Sequence, residues 1–467
     1  MVFLALIAWA LKHKLDASIT SLQSQLKEQI RIDKKLNKQP RKQKERISWN
    51  EFTETITNSH RFRRMFRMNR GTFDLLCIQI ANKIGHKTFR SESFMSEGGM
   101  RDQQTFAAQQ HSGGYTSGEI KLAVTIRLLA GGSYLDLIPL FDIVKSSIYS
   151  VFDQVIGWVI KTLSFPLVET LRDENWTVMH AMAQEFAEKS EGFFYGAFGS
   201  LDGLAVRISS PRLRDVPDPG NYHCRKGFYA LNVQAICDKH KRFLWVAPMN
   251  KGSSHDSSAF GNTKLIELLK EKAQQLLEQG LFLNGDSAYP MYLFLQVPYN
   301  QQEVKADPVG AKDAYNCYHS ANHIWIECAF GELIMRWGCF WRTLRFNSLE
   351  KNGRVIYAAM LLHNFIVDSR LNSTDDDQCF RDFSANITSS SQSRMTQLTG
   401  ESPRALVSDN NEPRPLGRPS MSEKAMIAQG ELLRNNLMLS LSARGDFRRP
   451  TERGMKYNSE GLIYMEC

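Results

Sequence analysis

The chain has 467 residues, with 58 lysines and arginines against 49 acids, a formal net charge of +9 and a pI near 9.0. Such a length admits two or three domains around a large core, and the basic balance favours a polyanionic partner. The eight cysteines are scattered, with no C-x-x-C pair and no histidine at zinc spacing, which argues for reduced thiols and against a disulfide framework or a structural zinc.

Residues 1–11, MVFLALIAWAL, are apolar but too few to span a bilayer. They lack a basic n-region and a small-residue cleavage site, so we read them as the start of a helix running through 15–33, or as a mis-assigned start, rather than as a secretion signal. No other apolar run is long enough for a membrane helix, and no membrane partner is expected. Between 31 and 46, Arg31, Lys34, Lys35, Lys38, Arg41, Lys42, Lys44 and Arg46 face only Asp33 and Glu45. This stretch is either a solvated linker or a nucleic-acid arm or nuclear import signal. Arg61, Arg63, Arg64, Arg67 and Arg70, spaced around Phe62, Met65, Phe66 and Met68, suit a helix with a basic face.

Helical periodicity covers 48–85 and 117–189, with a Ser-, Gly- and Gln-rich loop at 90–116. The spacing predicts an amphipathic helix over 120–129, closed by Gly131-Gly132. Two helices follow, 133–141 and 145–163, with a turn near Asp142, the outline of a helix-turn-helix. From Gly192 the texture changes to strands: 193–208, 227–238 and 242–250, joined as an antiparallel meander. A helix over 257–279, a strand over 281–284, and helices over 323–345 and 353–370 complete the pattern. Beyond 371 the composition is polar and reads as disordered. A segment at 421–441 with a helical apolar set is the exception, either partner-binding or transient.

Within the first strand, Asp202 shares a face with Phe198, Leu204, Val206 and Ile208. A carboxylate there costs several kcal/mol, by order of magnitude, unless it is protonated, hydrogen-bonded or bound to a cation. Three later segments, Ser-Ser-His-Asp-Ser-Ser, Asn-Gly-Asp-Ser-Ala-Tyr-Pro and Ile-Trp-Ile-Glu-Cys-Ala-Phe-Gly, bring Asp256, Asp286 and Glu327 to the ends or edges of apolar elements. Oxygen-only donors of this kind suit Mg²⁺ or Mn²⁺. Each acid also has a plainer reading: a turn at Asp202 or Asp286, a helix N-cap at Asp256, or a surface position for Glu327. His255 reads as a loop residue and His363 as a core hydrogen-bonding residue.

The blocks LDGLAVRI, Arg-Lys-Gly at 225–227, SSHDSSAF, GDSAYP, IECAFG and LLHNF, in this order, resemble those of PIF/Harbinger-type DDE transposases and their domesticated nuclease relatives. The resemblance implies an α/β catalytic core, ribonuclease-H-like, with a mixed sheet flanked by helices, preceded by an all-α helix-turn-helix-like domain. The expected boundaries are an apolar and basic arm at 1–47, a helical domain at 48–190, a DDE endonuclease domain at 191–370 and a tail at 371–467. It further implies cleavage of DNA phosphodiesters with a divalent metal (Mg²⁺ or Mn²⁺), catalytic residues Asp202, Asp286 and Glu327, and Asp256 as a fourth, peripheral metal ligand. The first and fourth strands are neighbours in such a sheet, which favours Asp286 over Asp256 as the second acid. Lys145, Arg225, Lys226 and Arg336 are the cations expected at the DNA. A Myb-like DNA-binding partner, homo-oligomers and a nuclear location are also expected. One departure is His323, where the relatives usually carry Arg four residues before the acid; it puts full transposition in doubt. A domesticated protein that binds DNA without cutting is the alternative.

Overall fold

An almost unbroken apolar run builds the central strand, β1 (Ala197–Arg207), buried over most of its length. In the computed structural model it pairs antiparallel with β2 (Ala230–Cys237), which pairs antiparallel with β3 (Phe243–Lys251). On its other side it runs parallel to β4 (Phe282–Gly285), itself parallel to the two-residue β5 (Leu295–Gln296). The result is a mixed five-stranded sheet in the order β3-β2-β1-β4-β5. Both faces are covered, which is why these strands read as continuous apolar runs instead of alternating ones.

The structure describes residues 48–56, 59–90, 116–188, 192–346, 348–371 and 422–444, together with scattered helical positions between 22 and 31 and short strands at 456–457 and 463–464. The chain divides into two units, one comprising 1–48 and 92–116, the other 49–91 and 117–467. In the first, the described helical residues 22, 24–29 and 31 are exposed. The basic stretch from 32 to 46 lies outside the described residues, as do 1–21 and 372–421.

The second unit begins with α1 (Trp49–Glu54), α2 (Ser59–Phe66), α3 (Arg70–Ile84) and α4 (His86–Arg90). Trp49, Phe62, Phe66 and Phe73 form one aromatic cluster, while Arg61 and Arg64 stay exposed. Helix α5 (Gly118–Leu129) is buried on nearly every side, including Lys121 and Thr125, so the expected amphipathic helix is instead a central one. A capping box at Ser133 and Asp136 starts α6 (Tyr134–Phe141), and Asp142, at φ 48°, turns the chain into α7 (Lys145–Thr162). Helix α7 is apolar enough to cross a membrane by composition, but Ile148, Phe152, Val155, Ile156 and Val159 are buried against neighbouring helices.

This helical part is fused to the sheet part. Gly131, at φ 96°, lies against Gly338, where an added Cβ would stand 3.2 Å from the Gly338 Cα and one on Gly338 would stand 2.7 Å from the Ala130 carbonyl oxygen. Phe152 stacks on Phe346 at 5.4 Å.

On one side of the sheet, α8 (Leu167–Arg172), α9 (Trp176–Ala187) and three short helices, α10 (Asp256–Gly261), α11 (Lys264–Glu271) and α12 (Ala273–Gln279), enclose an apolar core. The single helix expected over 257–279 is broken at Thr263, which leaves helical geometry and accepts from the Ile266 N–H. After α13 (Gln301–Lys305), α14 (Ala311–Arg336) crosses β1, β2 and β4. It begins well before the expected start at His323. Its first half is polar yet buried: Ser200 donates to the Asn322 carbonyl at 2.9 Å, and a His319 ring nitrogen meets the Gln296 carbonyl at 3.2 Å. The helix stops at Arg336, and a 3-10 turn, Gly338–Trp341, replaces the expected continuation to 345. In α15 (Leu349–Leu371), the Asn364 amide accepts from the Phe243 N–H and donates to the Phe243 carbonyl, both at 2.7 Å, satisfying the edge strand β3.

Helix α16 (Glu423–Arg444) packs on α14 and β5. Its Met426 carbonyl accepts from the Leu293 N–H at 3.1 Å, and Gly430 sits so close to Tyr292 that a Cβ would stand 2.6 Å from its carbonyl carbon. Arg434 pairs with Glu303 at 3.0 Å and lies 3.9 Å over the Tyr299 ring.

Candidate active site

The parallel pairing of β1 with β4 sets Leu201 opposite Gly285, so Asp202 and Asp286 are the next residues on adjacent strands. Asp202 is buried mid-strand, because β1 continues where β4 ends. Asp286 leaves its strand in a tight turn in which its Oδ1 accepts from the Ala288 N–H at 2.8 Å. From above the sheet, α14 brings Glu327 beside this pair. The helix buries Ile326, Phe330, Leu333 and Trp337, which leaves Glu327 at the border of the buried stripe and exposed at the surface.

These acids act on one another. Burial pushes the Asp202 carboxyl well above its ordinary range, and the charge of Asp286 adds to the rise, followed by smaller contributions from Asp256 and Glu327. Glu327, although its side chain reaches the surface, is raised by partial desolvation beside the helix stripe and then by the charge of Asp286. Asp286 therefore bears on Asp202 more strongly than Asp256 does, and it is the acid that couples to Glu327. The Asp202 Oδ1 is buried with no hydrogen-bond partner. An orphaned carboxylate oxygen in the field of three other carboxylates is the electrostatic situation that a bound cation relieves.

Asp256 is the first residue of α10, and the N-cap position is His255, so the N-cap reading of Asp256 does not hold. Its carboxylate is fully buried and accepts from the Gln234 side-chain amide at 3.2 Å. Gln234 in turn accepts from the Tyr289 hydroxyl at 2.7 Å. Gln234 pairs opposite Gly203, the neighbour of Asp202, and Tyr289 belongs to the turn that carries Asp286. This Tyr289–Gln234–Asp256 chain ties the second and fourth strands together under the acids. Sequence reasoning missed Gln234 and Tyr289; the available signal was a glutamine inside an otherwise apolar buried strand.

Arg225 is exposed and lies 2.6 Å from a ring nitrogen of His255. Lys226 is partly buried and borders a cavity beyond Asp202. Lys145 opens α7 with its ammonium 4.3 Å over the Tyr134 ring. Arg336, expected at the DNA, is a core residue instead: it is 2% exposed, donates to the His363 carbonyl at 3.1 Å and pairs with Glu332 at 3.5 Å. Its position at the end of α14 is covered by α15, so it cannot reach a phosphate. His363 is likewise buried, with a ring nitrogen 3.0 Å from the Lys241 carbonyl, as a core histidine should be. His323 is buried and held down at about 4 by that burial, hence neutral near pH 7.

Among the described residues, no three His, Cys, Asp or Glu side chains stand close enough together to hold one metal ion as they are. The carboxylates fit a hard divalent cation by donor chemistry and by the orphaned Asp202 oxygen, not as a preformed cage.

A carboxylate-lined mixed sheet of this kind agrees with what sequence comparison finds: residues 201–364 match the DDE superfamily endonuclease family. Over those residues the chain resembles a DDE superfamily endonuclease domain, and it is similar to proteins named as a putative nuclease and as ALP1-like. It is 28% identical over 176 residues, 37% of its length, to the human protein named "Putative nuclease HARBI1", and to the same degree to the Bos taurus protein of that name. It is 23% identical over 349 residues, 70% of its length and 77% of the relative, to "Protein ALP1-like" of Arabidopsis thaliana. The chain spans less than half, 46%, of the two nuclease relatives. No solved structure matches it.

Proposed function

We propose that this chain is a metal-dependent DNA endonuclease of the DDE type, built on a ribonuclease-H-like core. The observation that carries the reading is the β1–β4 pairing, which sets Asp202 and Asp286 side by side with Glu327 coupled to them. Asp202, Asp286 and Glu327 would hold divalent cations, with Asp256 as a peripheral ligand braced by Gln234. When bound, Mg²⁺ or Mn²⁺ supplies an activated nucleophile and leaving-group stabilisation at a phosphodiester. The chain's own contribution is to bury Asp202 in a rigid strand, to hold Asp286 by its turn, and to keep the acids in a setting whose repulsion favours cation binding. The net charge of +9, with Arg61 and Arg64 exposed on α2, supports DNA as the polyanion, and a nuclear location is part of the proposal. Helices α6 and α7 are the candidate duplex-reading pair, and a Myb-like partner and self-association belong to the same proposal.

A second reading, DNA binding without cutting, is favoured by one observation: no three of the candidate ligands among the described residues stand within reach of a single ion. Incubating purified full-length protein with supercoiled plasmid and Mg²⁺ or Mn²⁺ separates the two. Nicking by the wild type, and none by Asp202→Asn, supports the nuclease. Duplex binding without nicking by any form supports the second reading.

A further inference from the structure

Past Asp202, β1 runs on beyond the reach of β4, and its last residues border a cavity of about 60 Å³. Leu204 and Val206, which share the side of the strand that carries Asp202, form its floor. Arg207, Lys226 and Arg342 line it, and no acid does. Phe228, Phe340 and Trp341 are its aromatic lining, and of these Trp341 is the exposed one, at 48%. The indole is fixed, because its Nε1–H donates to the Ile334 carbonyl at 2.7 Å. Across from it, the Arg207 guanidinium lies 4.2 Å over the Phe228 ring. Arg342 is exposed and has no hydrogen-bond or ion-pair partner among the described residues.

A rigid, half-exposed ring set among cations, with no acid in the lining, suits a ligand that has both a flat π-face and negative charge. A paired base is stacked within its duplex and cannot offer that face; an unpaired one can. Leu204 and Arg207 lie two and five residues beyond Asp202, about 7 and 16 Å along the strand at about 3.3 Å per residue. An unpaired strand is more extended per nucleotide than a duplex, so the cavity stands within a few nucleotides of a phosphate at the carboxylates.

We propose that the half-exposed Trp341 ring beside this cavity forms a nucleotide-stacking subsite, in which an unpaired base of the DNA strand near the scissile phosphate stacks on the ring while Arg207 and Arg342 contact its phosphates. This rests on the nuclease reading for its register to Asp202, but not for its existence. It is tested by fluorescence anisotropy with a labelled dT20 single strand and a mixed-sequence 20-base-pair duplex, in metal-free buffer so that no cleavage occurs. Stacking is worth about 1–3 kcal/mol per base, so Trp341→Ala should weaken dT20 binding by about 5- to 150-fold, with Trp341→Phe retaining most of the affinity and duplex binding nearly unchanged. Arg342→Ala, at an exposed position that does not threaten folding, should lower the salt slope of dT20 binding by about 0.7. Wild-type protein that ignores dT20, Trp341→Ala that binds it normally or loses duplex equally, or an unaltered slope in Arg342→Ala would each overturn the subsite. Should dT20 binding depend on Trp341 while plasmid is never nicked, the subsite stands and the nuclease reading fails. Nicking together with Trp341-independent dT20 binding means the opposite: the nuclease reading stands and the subsite fails.

Discussion

Glu332 offers the sharpest test of how the core behind the site is held. Its carboxylate, 12% exposed, bonds Lys241 at 2.6 Å and Arg370 at 3.2 Å and lies 3.5 Å from Arg336. Despite burial, which raises it, the charges of Lys241 and Arg336 bring it from an ordinary 4.5 to about 2. At 1.36 kcal/mol for each pKa unit, that fall is worth about 3 kcal/mol of stability. The two partners are not symmetric. Arg336 is itself held down, to about 9, because its burial outweighs the attraction of Glu332 and Arg370 opposes it. Removing the Glu332 charge therefore leaves a buried guanidinium short of its counter-ion, a situation that costs about 3–5 kcal/mol. Glu332→Gln should accordingly lose about 3 kcal/mol or more in urea unfolding at pH 7. The sign with pH follows from a folded value below the unfolded one: the contribution is complete above about pH 4.5 and fades as pH falls toward 2. Wild type and Glu332→Gln should thus converge in stability across that window. A loss under 1 kcal/mol at pH 7, or a gap that stays constant down to pH 2, would refute the reasoning.

Asp202→Asn and Glu327→Gln should each abolish divalent-dependent plasmid nicking while far-UV circular dichroism stays that of the wild type; nicking by either variant would remove it from the ligand set. Asp286→Ala should eliminate nicking, whereas Asp256→Ala should leave a measurable remnant with a higher metal requirement, as read from Mn²⁺ titrations of activity; the opposite order would reverse their roles. Gly430→Ala should destabilise the chain by about 1–3 kcal/mol, the usual cost of overpacking, since its Cβ would meet the Tyr292 backbone; thermal melting at an unchanged midpoint would show that α16 is not seated there.

The strands and the acids are legible in the sequence because their chemistry is out of place locally. An aspartate within the apolar run around Asp202 demands an explanation, and strand-end acids such as Asp286 supply one. The short β5 is not legible, since two residues carry no periodicity. The first half of α14 escapes for a different reason: it is buried through His319 and Asn322 against Ser200 and Gln296, so a search for an apolar stripe passes over it. Arg336 misleads because an arginine beside the apolar stripe of a helix read as 323–345 looks solvent-facing until a later helix, α15, is known to cover it. The docking of α16 has one trace, Gly430 in the middle of a helical pattern, where glycine costs about 1 kcal/mol against alanine and so points to a packing reason.

The Gly131–Gly338 contact has a mechanical meaning. With backbone on backbone there, and Phe152 stacked on Phe346 nearby, the helices before the sheet pack directly against it. A duplex gripped by α6 and α7 would be presented to Asp202 at one fixed offset, like stock clamped against a stop. Under the proposed function, the interval between a contacted sequence and the cut would then be a property of the folded chain itself, set by where two glycines touch.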